Sequence, residues 1–325
     1  MVRRLLGRVL GAAVVLGLVA VGGFGLLEAA SGDAVDAYVA GAGGMDAAAI
    51  AALRAEWGLD AGVGRRLLAY LAALLRLDLG WSSGFERPVR AVIGERIGNT
   101  LLLMGLATGL AVTLGTTLGI MCGARPGAWR DRVISAAAII LYAIPGFWLA
   151  LVLIVVFAVD LRWLPVGGME TMASGLTGWA RAADVAWHLV LPVASLGIIY
   201  MALYLRLMRD GMAELWSADF VRAAQARGMP PRRIALRHVA RNALLPVVTM
   251  LGLQSASMLG GSVVVESVFA IPGIGRLAHE AVLKRDTPLL LGVMLLSAIV
   301  VIAVNLVVDF AYGRLDPRIT RGRGT

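Results

Sequence analysis

The chain has 325 residues, of which 59% are hydrophobic and 16% charged, and its mean hydropathy is +0.81. Soluble globular domains carry roughly 45–50% apolar and about 25% charged residues, so the composition argues against a soluble enzyme and for an integral membrane protein. The single cysteine, Cys122, excludes an intrachain disulfide framework and a cysteine-rich metal site.

Six segments dominated by Leu, Val, Ala, Ile and Gly predict transmembrane helices at about 9–27, 100–122, 133–159, 189–208, 244–265 and 289–310. A helix of roughly 17–25 residues crosses a hydrocarbon core of about 30 Å, whereas barrel strands are about half as long and alternate in polarity. The first segment has two interpretations, a cleaved signal peptide or a retained helix, and its long apolar run favours the retained helix. Pro145 and Gly146 predict a kink in the third segment. The predicted fold class is an all-α integral membrane protein with six transmembrane helices.

The distribution of charge predicts the orientation of these helices. The net charge of +9 divides into +12 on the side that holds both termini and −3 on the other side. Arginine and lysine are retained on the cytoplasmic side of membrane proteins, so we expect both termini to be cytoplasmic. This distribution also removes the alternative explanation of the basic charge, a nucleic-acid partner.

A segment at 28–99 lies between the first two predicted helices and is expected to be external and partly helical. Within it, 45–57 reads as a helix that Gly58 stops, and 65–79 reads as an amphipathic helix with leucines at helical spacing. A small cap on the helix bundle, a helix along the membrane surface and a docking platform for an external partner all agree with this pattern.

The predicted cytoplasmic loop at 206–243 contains eight arginines and no lysine. It reads as a helix from about Ala218 to Arg227, N-capped by Ser217 and ended by Gly228, followed by a second helix that starts at Pro231. The small residues Ala223, Ala224 and Gly228 are expected on one side, where a partner could approach the backbone closely. A loop that only sets the topology is the alternative, but it would need neither the paired small residues nor the restarted helix.

Motifs for nucleotide or metal chemistry do not occur in this sequence. It has no G-x-x-x-x-G-K-[ST] loop, and its one lysine is Lys284. The G-x-G-x-x-A run at 273–278 follows Ile271-Pro272 rather than a buried strand, so we do not interpret it as a dinucleotide site. The middles of the predicted helices carry no ionisable residues of the kind that proton-coupled carriers use. We therefore expect no enzyme activity, and an energy source on a partner protein.

The loop resembles the signature of ABC importer permeases, in the form found in the peptide/nickel branch: D-Y-V-R-x-A-x-A-K-G, then H-x-x-R-N-A-L-x-P. This chain reads D-F-V-R-A-A-Q-A-R-G at 219–228 and H-V-A-R-N-A-L-L-P at 238–246. Arg222 takes the place of the glutamate in the wider family's E-A-A-x-x-x-G motif. Four more blocks resemble the B-type peptide permeases of this branch: D-L-G-W-S at 78–82, W-L-P-V-G-G at 163–168, E-S-V-F-A-I-P-G-I-G at 266–275 and Y-G-R-L-D-P-R at 312–318.

The resemblance implies one transmembrane domain over 1–325, in a bacterial inner membrane, with a cytoplasmic coupling helix. The implied partners are a second homologous permease subunit, two cytoplasmic ATPase subunits and an extracytoplasmic solute-binding protein, which 28–99 would face. ATP and Mg²⁺ would bind to the partner subunits, so the resemblance implies no cofactor, metal or catalytic residue in this chain. The expected function is import of small peptides by alternating access. Nickel complexes, glutathione or another small solute are alternatives, and a membrane scaffold or receptor is an alternative of another class.

In that family the coupling helix lies in a groove on the ATPase and transmits its closure to the transmembrane helices. The residues that the resemblance assigns to this contact are Asp219, Arg222, Ala223, Ala224 and Gly228.

Overall fold

The computed structural model describes residues 2–29, 35–36, 39, 44–56 and 58–315. It begins with helices α1 (Val2–Ala29), α2 (Ala47–Glu56) and α3 (Val63–Leu75), followed by the antiparallel strand pair β1 (Trp81–Ser82) and β2 (Arg87–Pro88). The next helices are α4 (Val89–Gly123), α5 (Trp129–Ala143), α6 (Gly146–Leu153), which continues as a π-helix over Ile154–Asp160, and α7 (Gly178–Leu215). The last are α8 (Asp219–Ala226), α9 (Pro231–Ile234) with a π-helical turn at Ala235–Val239, α10 (Ala240–Val268), α11 (Ile274–Leu283) and α12 (Thr287–Leu315).

Helices long and apolar enough to cross a membrane confirm the predicted fold class. In the described part of the chain there are four of them, Val89–Gly123, Gly178–Leu215, Pro231–Gln254 and Thr287–Phe310, and a fifth if α5 and α6 together count as one span. Two shorter apolar helical stretches lie at Leu10–Leu26 and Ala256–Val268. The count of six stays a prediction.

The predicted third span is two helices rather than one kinked helix. The break between α5 and α6 bends the chain by 102°. Ile144 and Pro145 both have extended backbone, with ψ of 130° and 134°. The proline ring disfavours the helical conformation of the residue before it, and proline then takes the position ahead of the next helix.

By their internal contacts the residues form two compact units, the first made of 1–98 and 273–302, and the second of 99–272 and 303–325. The core of the first unit joins α4, α11 and α12 through the buried side chains Val89, Val92, Ile93, Ile274, Leu277, Ala281, Leu289 and Val293. Buried Asp286 accepts hydrogen bonds from the Ser82 hydroxyl at 2.5 Å and the Gly84 amide at 2.9 Å, which ties the β1–β2 turn to the start of α12.

The two helices found between residues 44 and 79 differ from the prediction in their bounds. Gly58, with φ of +68°, follows α2 as expected. The helix predicted over 65–79 ends at Leu75, because Leu77 has φ of +58° and the Asp78 amide bonds back to the Ala73 carbonyl at 3.0 Å. Leu79 packs against the core of the first unit instead. Residues 30–34, 37–38, 40–43 and 57 of the predicted external segment, and 316–318 of the C-terminal block, lie outside the described residues.

Glycines set the packing of α4 against α7 in the second unit. A Cβ added at Gly115, Gly119 or Gly123 would lie 2.7, 2.8 and 2.9 Å from the carbonyl oxygens of Met201, Leu205 and Arg209 respectively. Both series advance by four residues, about one helical turn, so the two backbones approach each other along three successive turns. This contact holds residues 201–209 of α7 directly against α4.

Candidate functional site

The candidate site is the segment 206–243, in which the chain leaves α7, forms the short helix α8 and enters α10. The helix α8 begins at Asp219 and its N-cap position is Ala218, which has no side chain able to cap it. The predicted cap by Ser217 is wrong, because the Ser217 hydroxyl donates instead to the Glu214 carbonyl at 2.9 Å, one turn back in the preceding helix.

Gly228 ends α8 in the way that the sequence predicts. Its φ is +71°, a conformation that glycine adopts without steric cost. The Gly228 amide donates to the Gln225 carbonyl at 2.8 Å, and the Met229 amide donates to the Ala224 carbonyl at 3.2 Å. These two bonds form a Schellman motif, which satisfies the last carbonyls of the helix and turns the chain towards Pro230 and Pro231.

One face of α8 is buried in the core of the second unit. Val221 is 0% exposed and Ala224 is 1% exposed. They belong to a cluster with Met208 and Met212 of α7, with Ile234, Ala235 and Val239 that lead into α10, and with Met229 at its edge. The short helix is therefore seated on the ends of two long apolar helices.

The opposite face of α8 is exposed. Of the five predicted coupling residues, Asp219, Arg222, Ala223 and Gly228 lie on the surface. Ala224 does not share that side, because successive residues of a helix point about 100° apart and the turn that exposes Ala223 buries its neighbour. The small side chain of Ala224 allows α8 to pack closely against the rest of this chain.

In the described structure, the charged side chains of α8 form bonds only within their own segment, so the exposed face of the helix is free to bind a partner. The Arg222 guanidinium lies 3.5 Å from the Asp219 carboxylate, and Arg227 Nε donates to the Ala223 carbonyl at 3.2 Å. In the part of the chain that the structure describes, every side-chain hydrogen bond and ion pair of residues 219–228 stays within that segment. A charged partner surface can bind this face without first breaking contacts to other elements.

Two polar contacts that are not predicted from the sequence connect the end of α7 to the turn between α4 and α5. Asp131, at the first turn of α5, pairs with Arg209 of α7 at 2.6 Å, and Trp216 Nε1 donates to the carbonyl of Gly123 at 2.9 Å. In the sequence, Asp131 and Arg209 are only two of the charges that indicate topology. The repeat of glycine at 115, 119 and 123 was the available signal that this end of α4 contacts another helix.

A second surface feature of the same unit is a cavity of about 730 Å³ beside the loop that precedes α7. It is lined by Gly168–Gly178 with Arg181, Ala270 and Pro272. Arg181 and Glu170, which both line the cavity, form an ion pair at 2.6 Å, and the Gly168 amide donates to the Phe269 carbonyl at 2.7 Å. Contacts within the loop and with Phe269 therefore shape the cavity. None of the predicted site residues lines it.

Comparison with known proteins identifies the family. The family described as binding-protein-dependent transport system inner membrane component matches residues 115–321, which include the whole candidate site. A putative peptide permease protein of Brucella suis is 38% identical over 297 residues, 91% of this chain and 92% of its own length. The oligopeptide transport system permease protein AppB of Bacillus subtilis is 37% identical over 253 residues, 78% of this chain and 79% of its own.

A solved structure shows the same fold. The inward-facing MetNI methionine ABC transporter superposes with a TM-score of 0.56, at 17% identity, over 69% of this chain and 96% of the transporter chain. This likeness concerns the arrangement of helices alone. The family match and the relatives establish that the chain belongs to the binding-protein-dependent transport system inner membrane components and is a multi-pass permease subunit of an ABC importer.

Proposed function

We propose that this permease forms half of the translocation pathway of an ATP-driven importer of small peptides, working by alternating access. The substrate class comes from the relatives, which are named as peptide or oligopeptide permeases. The proposed assembly contains this chain as a single transmembrane domain, a second homologous permease subunit, two cytoplasmic ATPase subunits that bind ATP and Mg²⁺, and an extracytoplasmic solute-binding protein.

The main support for this proposal is the way in which α8 packs on the ends of α7 and α10. Its buried face rests on the ends of α7 and α10, while its exposed face carries Asp219, Arg222 and Ala223. A short rigid helix fixed to two long membrane helices can convert a push on its outer face into movement of both. This is the part that a transporter needs when its energy source is on another subunit, and a scaffold that only recruits partners would not need it.

The proposed orientation places α8 and both termini in the cytoplasm. The asymmetry of +12 against −3 supports it, since arginines next to apolar spans are retained on the cytoplasmic side. In this orientation α8 faces the compartment that holds ATP, and residues 28–99 face the solute-binding protein.

Purification of the assembly tests the proposal. The tagged chain, expressed with the genes that neighbour it, should co-purify with a second permease and with ATPase subunits. Mass spectrometry of the small molecules on the co-expressed solute-binding protein should identify peptides of a few residues. Recovery of nickel complexes or another solute would replace the proposed substrate, and recovery of the chain without any ATPase would contradict the proposed machine.

A further inference from the structure

A buried carboxylate lies at the turn between α4 and α5, on the side of the second unit that carries α8. Asp131 is 2% exposed and occupies the first turn of α5. Its two oxygens accept hydrogen bonds from the Gly127 amide at 2.8 Å, from the Ser135 hydroxyl at 3.1 Å and from Arg209. Burying a carboxylate is costly unless donors compensate it, so the contacts around Asp131 are a constraint that the fold maintains.

The partner of Asp131 comes from the helix that leads into α8. Arg209 donates from Nε to Asp131 Oδ1 at 2.6 Å and from Nη2 to Oδ2 at 2.9 Å. Two parallel bonds between a planar guanidinium and a carboxylate fix orientation as well as distance. Its Nη1 donates to Asp210 at 2.8 Å, which further restricts the guanidinium.

A second polar contact lies on the other side of the same turn. Trp216, the residue after α7, donates from its indole nitrogen to the Gly123 carbonyl at 2.9 Å. Gly123 is the last residue of α4, where carbonyls have no partner within the helix. The two contacts therefore hold residues 124–128 from both ends, and we call Asp131, Arg209, Trp216 and the Gly123 carbonyl the clamp.

The seat of α8 on the chain is of a different kind. The side chains of Val221 and Ala224 pack against apolar neighbours, and the side-chain hydrogen bond and ion pair of 219–228 stay within that segment in the described structure. Apolar contacts are non-directional, whereas the hydrogen bonds and the ion pair of the clamp are directional. Trp216 lies three residues before α8 begins, so the clamp adds a directional link between α4, α5 and the junction of α7 with α8 to the apolar packing of α8 on α7.

We infer that Asp131, Arg209 and Trp216 are positioning residues for coupling, which carry the displacement of α8 to α4 and α5. This inference rests on the proposed function, because it assumes that an ATPase pushes on α8. Their proposed role is to make the turn at 124–128 move as one body with the end of α7.

The test uses the complete assembly in proteoliposomes and measures peptide taken up per ATP hydrolysed. Trp216→Phe keeps the apolar body and removes the donor, and Arg209→Lys keeps the charge and removes the paired bonds. Each should lower the ratio of uptake to hydrolysis by about threefold or more, while the assembly still forms and hydrolyses ATP. Arg132→Gln is the matched control, since Arg132 is exposed and next to Asp131 in sequence, and it should leave the ratio unchanged.

A distance measurement gives a readout that does not depend on peptide. Spin labels at Arg125→Cys and Ser217→Cys, in a Cys122→Ala background, report the separation of the two exposed turns that the clamp joins. With the clamp intact this separation should stay constant when ATP binds, and with Trp216→Phe it should change or broaden. If both variants keep the control's ratio and a constant separation, the inference is wrong. Lack of peptide uptake by the unaltered assembly would instead contradict the proposed function, and the label distances would still decide the role of the clamp.

Discussion

At Gly119 the two helices α4 and α7 leave no room for a methyl group. A Cβ at this position would lie 2.6 Å from Met208 Cβ and 2.8 Å from the Leu205 carbonyl, whereas a Cβ at Gly109 of the same helix would have no neighbour within 4 Å. Backbone and Cβ atoms cannot rotate away as the end of a long side chain can. The Gly119→Ala substitution is therefore expected to force α4 and α7 apart.

We expect Gly119→Ala to destabilise the purified permease by about 1–3 kcal/mol, the usual cost of inserting volume into a packed interior. Thermal unfolding in detergent measures it, and the midpoint should fall for Gly119→Ala and not for the matched control Gly109→Ala. Equal midpoints for both variants would contradict the close approach of α4 and α7.

Two adjacent alanines of α8 have opposite environments. Substitutions at these positions can therefore distinguish an effect on ATPase docking from an effect on folding of the permease. Ala223 is exposed and Ala224 is 1% exposed. We expect Ala223→Glu to leave the chain folded and to prevent co-purification of the ATPase, because a charge enters a close helix contact. Ala224→Glu should lower the yield of folded permease itself.

Affinity purification followed by size-exclusion chromatography distinguishes the two effects. The control is Ala182→Glu at the start of α7, an exposed position far in sequence from α8, which should bind the ATPase normally. An Ala223→Glu variant that retains its ATPases and transports normally would refute the assignment of α8 as the docking helix.

At the scale of elements, α11 is attached to α4 by a charged contact that depends on pH. Glu280 accepts from Arg96 at 3.0 Å and from Arg276 at 3.0 Å. Partial burial acts to raise the pKa of Glu280, but the hydrogen bonds and charges of Arg96 and Arg276 outweigh it and hold the pKa below its ordinary value. The contact therefore stabilises the folded unit above the ordinary glutamate pKa of about 4.3 and is lost as pH falls through the lower, folded value.

We expect the backbone amides of α11 to keep their hydrogen-exchange protection from pH 7 down to about 5, and to lose it at lower pH after correction for intrinsic rates. Glu280→Gln should exchange faster at neutral pH and lose most of this pH dependence. Glu86→Gln, at an exposed residue of the β1–β2 turn, is the control. Protection that does not change between pH 7 and pH 3.5 in the unaltered protein would contradict a stabilising role for the contact.

The elements that sequence alone predicts are those whose signals are local. Apolar runs mark the long helices, and Gly228 with Pro231 marks the end of α8 and its restart, because φ above zero and a missing amide are properties of single residues. The sequence predicts a kink at Pro145 but not a bend of 102°, and it predicts a helix over 65–79 but not its end at Leu75, because both depend on the environment of the chain.

The same distinction explains the candidate site. The motif predicts where α8 lies, yet the burial of Ala224 and the pairing of Asp131 with Arg209, 78 residues apart, arise from the packing of several helices. A count of charges treats Asp131 and Arg209 as two surface residues, although one of them is buried. Contacts of this kind become visible only when the fold brings the helices together.

At the scale of the whole molecule, the asymmetry of charge predicts the topology. We expect a reporter fused after Thr325 to lie in the cytoplasm and a reporter inserted near Gly43 to lie outside the cell membrane. Alkaline phosphatase and green fluorescent protein fusions measure the two sides independently. The reverse pattern at both positions would place α8 on the side without ATP and would contradict the proposed coupling.

In the proposed function, ATP hydrolysis on a partner subunit drives the import of peptides, and α8 transmits the movement to this permease. The most direct measurement is peptide uptake into proteoliposomes that contain the permeases and ATPases, with the solute-binding protein outside the vesicles and ATP inside. We expect accumulation that requires ATP and the binding protein and that Ala223→Glu abolishes. An intact assembly that hydrolyses ATP but accumulates no peptide would contradict the proposed import of peptides, and normal accumulation with Ala223→Glu would contradict the role of α8.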